Sequence, residues 1–177
     1  ITDLPVWKET SFPNLYQDLA GAKSIMLASF RGQATLIDGS RVHLAVALPD
    51  GRVALFDEQA LGAHMKELSA LLTGKAVMCV YGLKDLLGAL EVVGLPAPAH
   101  AFDTMLAHYC LNPARPKAET FPTGDWKGPL LWRAGKACGE AELRSQLERD
   151  GVLALYKEVE RPLVEVLHEM EKRGVAV

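Results

Sequence analysis

Short, uninterrupted apolar runs alternate along this chain with stretches in which apolar residues recur every three or four positions. Three runs come first: residues 24–30 (SIMLASF), 42–48 (VHLAVAL) and 52–56 (RVALF). Each has the length of a buried strand and is bounded by glycine, proline or charge, so each predicts a strand. Pro49-Asp50-Gly51 between the last two is a tight-turn signature and predicts an antiparallel hairpin. Leu61, Met65, Leu68 and Leu72 then fall at helical spacing and stop at Gly74. Residues 75–81 (KAVMCVY) form a fourth buried run, and residues 83–94 (LKDLLGALEVVG) predict a helix closed by Gly94.

Further along, Asp103-Thr104 can cap a helix that Asn112-Pro113 ends. Residues 113–129 are rich in proline, glycine and charge, show no periodicity, and predict a surface loop. A short helical stretch follows at GEAELRSQL. Residues 151–173 place Leu155, Val159, Leu163, Val166 and Met170 along one side of a last helix. Pro162 inside that pattern predicts a kink or break, and Gly174 a stop. Three strands with a hairpin among them, then helix, strand and several helices, make an α/β protein with a mixed sheet.

Composition narrows the function classes. With 177 residues, 49% of them hydrophobic, the chain can bury a sizeable core. A formal net charge of −3 supplies no basic field for non-specific nucleic-acid binding. Lys75, Lys84, Lys127, Arg133 and Lys136 are scattered among acids and read as solvated surface. Cys79, Cys110 and Cys138 have no metal or redox spacing and read as buried thiols; the histidines form no ligand pair. No phosphate-binding glycine motif follows the first strand in FRGQATLIDGSR, which leaves a dinucleotide-binding reading unsupported. No apolar run reaches the roughly 20 residues of a membrane helix, and without a signal peptide a cytoplasmic location is expected. The start at Ile1 and the ending RGVAV suggest part of a longer protein.

Two stretches carry a resemblance. Residues 102–113 (FDTMLAHYCLNP) resemble a segment of the 3′–5′ exonuclease domain of bacterial DNA polymerase I, the family A polymerases. Residues 155–177 (LYKEVERPLVEVLHEMEKRGVAV) resemble the start of the polymerase module that follows that domain, notably in ERPL and MEKRGV. The implied fold is ribonuclease-H-like: a mixed sheet with antiparallel first three strands flanked by helices, plus a C-terminal helix. The implied division is an exonuclease-like domain over residues 1–148 and the start of the polymerase module over 149–177.

In active members, acids from three motifs hold two divalent metals. Two hard cations roughly 4 Å apart clamp the attacking and leaving oxygens of a phosphodiester. Magnesium takes mainly oxygen ligands, so carboxylates cannot be replaced by apolar groups. The first motif, D-x-E on the first strand, maps onto Ala28 and Phe30, and no acid occurs anywhere in residues 24–36. Asp38 follows in a turn. The second motif, N-L-K-Y-D, maps ungapped onto residues 82–86 and puts Leu86 at the acid; a one-residue deletion would make Asp85 the acid instead. The third, Y-x-x-x-D, maps Lys136 to the tyrosine and Glu140 to the aspartate. An ammonium at Lys136 repels metal, while Asp85 and Glu140 also suit helix first turns. Asp103 is expected to cap a helix.

These positions imply a catalytically inactive exonuclease-like domain with no catalytic or metal-binding residue and no cofactor, in which Asp85 and Glu140 are the weak candidates. The parent would be a monomeric DNA polymerase using Mg2+ in its own module, with that module and, through it, DNA primer-template as partners, and no membrane. Two alternatives stay open: a divergent active exonuclease using Asp38, Asp85, Asp103 and Glu140, and a free-standing interaction domain.

Overall fold

A computed structural model describes residues 6–32, 41–113 and 125–174. A six-stranded sheet in the order β1-β4-β3-β2-β5-β6 divides the helices into two layers. The strands are β1 (Lys8–Glu9), β2 (Ser24–Arg31), β3 (Val42–Ala47), β4 (Arg52–Phe56), β5 (Val77–Val80) and β6 (Ala101–Asp103). β2, β3 and β4 are antiparallel neighbours, whereas β1 on β4, β5 on β2 and β6 on β5 run parallel. The run SIMLASF is therefore the second strand. A two-residue β1 and helix α1 (Phe12–Ala20) precede it, both too short or too mixed to stand out as apolar periodicity.

The expected hairpin closes through Pro49-Asp50-Gly51. Gly51 takes φ +100°, its N–H donates to the Leu48 carbonyl at 3.0 Å, and Asp50 accepts from the Arg52 amide at 3.0 Å. The helix expected after it is split at His64 into α2 (Glu58–Ala63) and α3 (Met65–Leu72). α4 (Leu83–Val93) ends at Gly94, in the left-handed region at φ +82°. α5 (Thr104–Leu111) follows β6 directly.

Strand alternation sorts the side chains. Ile25, Leu27, Leu44, Val46, Phe56, Met78 and Val80 face a layer that includes Leu15, Leu19, Leu68, Leu72, Leu86 and Leu90 from α1, α3 and α4. The other face presents Met26, Ala28, Ala45, Ala47, Val53 and Cys79. Its small residues let a helix lie close, and α6 (Lys127–Lys136) does so through Leu130 and Ala134, with Ala137 just beyond it. α6 corrects the expectation of a loop over 113–129: residues 114–124 lie outside the described residues, but 127–129 are a first helical turn. Gly128-Pro129 reads as a breaker, yet proline is tolerated where the first-turn amides lack intrahelical acceptors.

α7 (Glu140–Arg149) packs with α5 around Phe102, Ala107, Leu143 and Leu147. The last element begins with α8 (Leu153–Leu155), widens into a π-helical stretch at Tyr156–Glu160 and continues as α9 (Arg161–Lys172). The irregularity expected at Pro162 thus takes the form of an i→i+5 stretch immediately before it, where proline removes a ladder donor. Leu155, Val159, Leu163, Val166 and Met170 are all exposed. Among the described residues no helix is long and apolar enough to cross a membrane.

Candidate functional site

β2 and β5 run side by side and end at Phe30-Arg31 and Val80-Tyr81, next to the start of α4. Parallel strands gather their C-terminal ends at one edge of the sheet, so acids from a strand and a helix start could converge there. The side chains present do something else. Ala28, 3% exposed, pairs with Ala45 and packs in the cluster that includes Leu130, Ala134 and Ala137. α6 is fastened over this strand by Arg133, whose Nη1 donates to the Ser29 carbonyl at 2.7 Å. Phe30 is half-buried and tilts against His43 across the β2–β3 ladder, with ring centroids 6.5 Å apart.

Leu86 is fully buried in the α1–α4 layer. It therefore belongs to the opposite side of the sheet from Ala28, and the two do not line a common cleft. Asp85, one residue earlier, is exposed in the first turn of α4. Lys136 sits with its Nζ 5.4 Å from the centre of the Trp132 ring, which in turn meets Tyr81 edge-on at 5.7 Å. Lys127 lies 5.7 Å over Trp126, and Trp126 stacks on His43 at 4.2 Å and 8°. The expectation that these basic groups are merely solvated is corrected for Arg133 and Lys136, which are half-buried and held by protein partners.

Glu140 starts α7. Its Oε1 accepts from Arg144 Nε at 2.8 Å and its Oε2 accepts from the Cys79 thiol at 3.4 Å. Burial, followed by the charge of Glu140, pushes the Cys79 thiol far above its ordinary range, so it stays protonated as the donor. Asp103 is 2% exposed, and its carboxylate is taken up by helix starts. Oδ1 accepts from the amides of Met105 and Leu106 in α5 and of Gly82; Oδ2 accepts from the amide of Leu83 in α4. Gly82, at φ +91°, supplies the left-handed turn that aims those two amides at it. The expected cap on α5 is thus also a cap on α4. Sequence reasoning did not reach this second role, nor the phenol oxygen of Tyr156, which accepts the Asp103 amide at 2.8 Å.

Two divalent metals of the exonuclease type do not fit this donor set. Among the described residues no three His, Cys, Asp or Glu side chains stand close enough to hold a metal. Asp85, Asp103 and Glu140 are not brought together as a ligand group, and Asp38 lies outside the described residues. At the two first-motif positions the strand offers only the methyl of Ala28 and the phenyl of Phe30.

No protein-family model and no curated protein sequence matches the chain. Solved structures do. The POL domain of Pol1 from M. smegmatis, in complex with DNA primer-template and dNTP, superposes with TM-score 0.70 at 18% identity over 94% of this chain. This chain spans only 31% of that polymerase chain. Brucella melitensis NrnC bound to pGG gives TM-score 0.68 at 17% identity, covering 94% of this chain and 92% of that one. Escherichia coli RNase D, an exoribonuclease involved in structured RNA processing, gives 0.65 at 16%, over 92% and 50%. The mixed six-stranded sheet flanked by helices is the ribonuclease-H-like fold of 3′–5′ exonuclease domains, one of them attached to a polymerase.

Proposed function

We propose that this chain is a catalytically inactive 3′–5′ exonuclease-like domain of a DNA polymerase I, retained as a structural support for the polymerase module. The observation that carries the proposal is Ala28: where a metal-binding acid would stand, a methyl group is buried beneath α6. A carboxylate there would be desolvated without a partner, and Lys136 adds a cation where metal ions would need anions. Residues 1–148 form the exonuclease-like part, and 149–177 begin the polymerase module. The exposed apolar stripe from Leu155 to Met170 supports that division, because such a stripe suits coverage by further protein. Template-directed synthesis, Mg2+ use and contact with primer-template belong to that module, in a monomeric, cytoplasmic parent.

The likeness to NrnC and RNase D favours a second reading, a divergent active exonuclease. Incubation with 3′-end-labelled single-stranded DNA and Mg2+ or Mn2+ decides between them. No release of 3′ nucleotides is expected. Metal-dependent release that Glu140→Gln or Asp85→Asn abolishes would overturn the inactive reading.

A further inference from the structure

At the other edge of the sheet, where β5 and β6 begin, α7 and α9 border an open surface groove of about 410 Å³ whose walls include Arg144, Arg161, His100, Pro162 and Glu165. Two guanidinium groups and an imidazole line it beside the Glu165 carboxylate, with Glu140 bonded to Arg144 behind them, in a chain whose formal net charge is −3.

Both arginines are held in place. The Arg144 guanidinium lies 4.5 Å from the centre of the Phe102 ring and donates through Nε to Glu140 at 2.8 Å. Arg161 donates through Nη1 to Glu165 at 3.1 Å. Both arginines line the same groove, one from α7 and one from α9. A guanidinium carries five N–H donors in a planar fork, so each arginine keeps donors beyond the one bonded to its glutamate. Glu165 is the displaceable group. Its side chain is 64% exposed, while that of Arg161 is 20% exposed. A single contact to a carboxylate this open to solvent holds it weakly.

We propose that this groove is a binding site for a phosphate monoester dianion, gripped by Arg144 of α7 and Arg161 of α9, with His100 on the wall and Glu165 swung out to solvent. A tetrahedral dianion can accept from two forks on different elements at once, which one carboxylate cannot do as fully. Occupancy ties α9 to α7, so the ligand braces the C-terminal helix against the sheet. The groove lies away from the Phe30–Tyr81 edge and does not depend on whether that edge cleaves DNA.

Calorimetric titration at constant ionic strength tests the site with inorganic phosphate, thymidine 5′-monophosphate and thymidine. Saturable binding of the two phosphates and none of thymidine is expected. Equal affinities assign the site to free phosphate; tighter binding of the monophosphate assigns it to a nucleotide. Arg161→Gln is expected to weaken phosphate binding about tenfold. Glu165→Gln is expected to strengthen it about twofold, a gain that misfolding cannot produce. No saturable binding up to about 10 mM phosphate, well beyond a millimolar affinity, would overturn the proposal. So would an affinity unchanged by Arg161→Gln. Nuclease activity in the assay above would leave this site standing, and failure here would leave the inactive reading standing.

Discussion

Replacing Asp103 by asparagine removes one carboxylate oxygen and its charge while keeping shape and volume. In the native fold Oδ1 serves the amides of Gly82, Met105 and Leu106 at 3.1, 3.1 and 3.3 Å, and Oδ2 serves Leu83 at 3.0 Å. An asparagine can keep its oxygen on the first group. Its NH2 then points at the Leu83 N–H, donor against donor, in a site where residue 103 is 2% exposed. Losing one charge-assisted bond and stranding a buried amide costs roughly 3 kcal/mol. For a chain of this size that lowers Tm by about 6–12 °C. Urea unfolding followed by circular dichroism, with thermal melts alongside, measures it. Asp85→Asn, an exposed first-turn acid, serves as the control and is expected to shift stability by no more than about 0.5 kcal/mol. If Asp103→Asn matches that control, the carboxylate is not what joins α4, β6 and α5.

Tyr156→Phe leaves the Asp103 amide without its acceptor and is expected to cost about 1–2 kcal/mol by the same unfolding measurement. Ala28→Asp, which restores an acid at the first-motif position, is expected to destabilise by about 3 kcal/mol or more and to yield no metal-dependent cleavage. A stable Ala28→Asp protein that binds Mn2+ would show that α6 does not seal this strand. His43 is held below the ordinary imidazole value of 6.5, chiefly by burial, with Asp57 and Glu58 opposing and Arg41 assisting. The fold favours the neutral ring, so its contribution is full above about pH 6.5 and is lost as pH falls from there toward the lower native value. The urea midpoint should drop between about pH 7.5 and pH 5.5, and His43→Leu should flatten that part of the profile.

Sequence periodicity revealed the elements whose local chemistry speaks for itself. The hairpin was visible because Pro49-Asp50-Gly51 permits few other conformations, and α4 because its apolar spacing meets a left-handed Gly94. α6 was hidden because Gly128 and Pro129 look like breakers, and only the alanine-lined face of β2 and β3 gives Leu130 and Ala134 a place to pack. β6 was hidden because three residues carry no usable alternation; it exists through pairing with β5. The single helix expected across residues 58–74 broke at His64, a local event that its apolar spacing does not encode.

At the candidate site, the sequence by itself determined what is missing. No register of residues 24–36 supplies a carboxylate, and no fold can create one. It also determined that Asp103 caps a helix, since an aspartate ahead of a helical run finds orphan amides wherever that helix forms. Tertiary structure alone decided that Asp103 caps two helices at once, because the amides of Gly82 and Leu83 arrive from a distant part of the chain. It alone put Ala28 and Leu86 on opposite faces of the sheet, and brought Arg144 and Arg161 to one groove. Chemical identity is local to a residue. Which side of a sheet it faces, and what arrives to meet it there, depends on how distant segments pack.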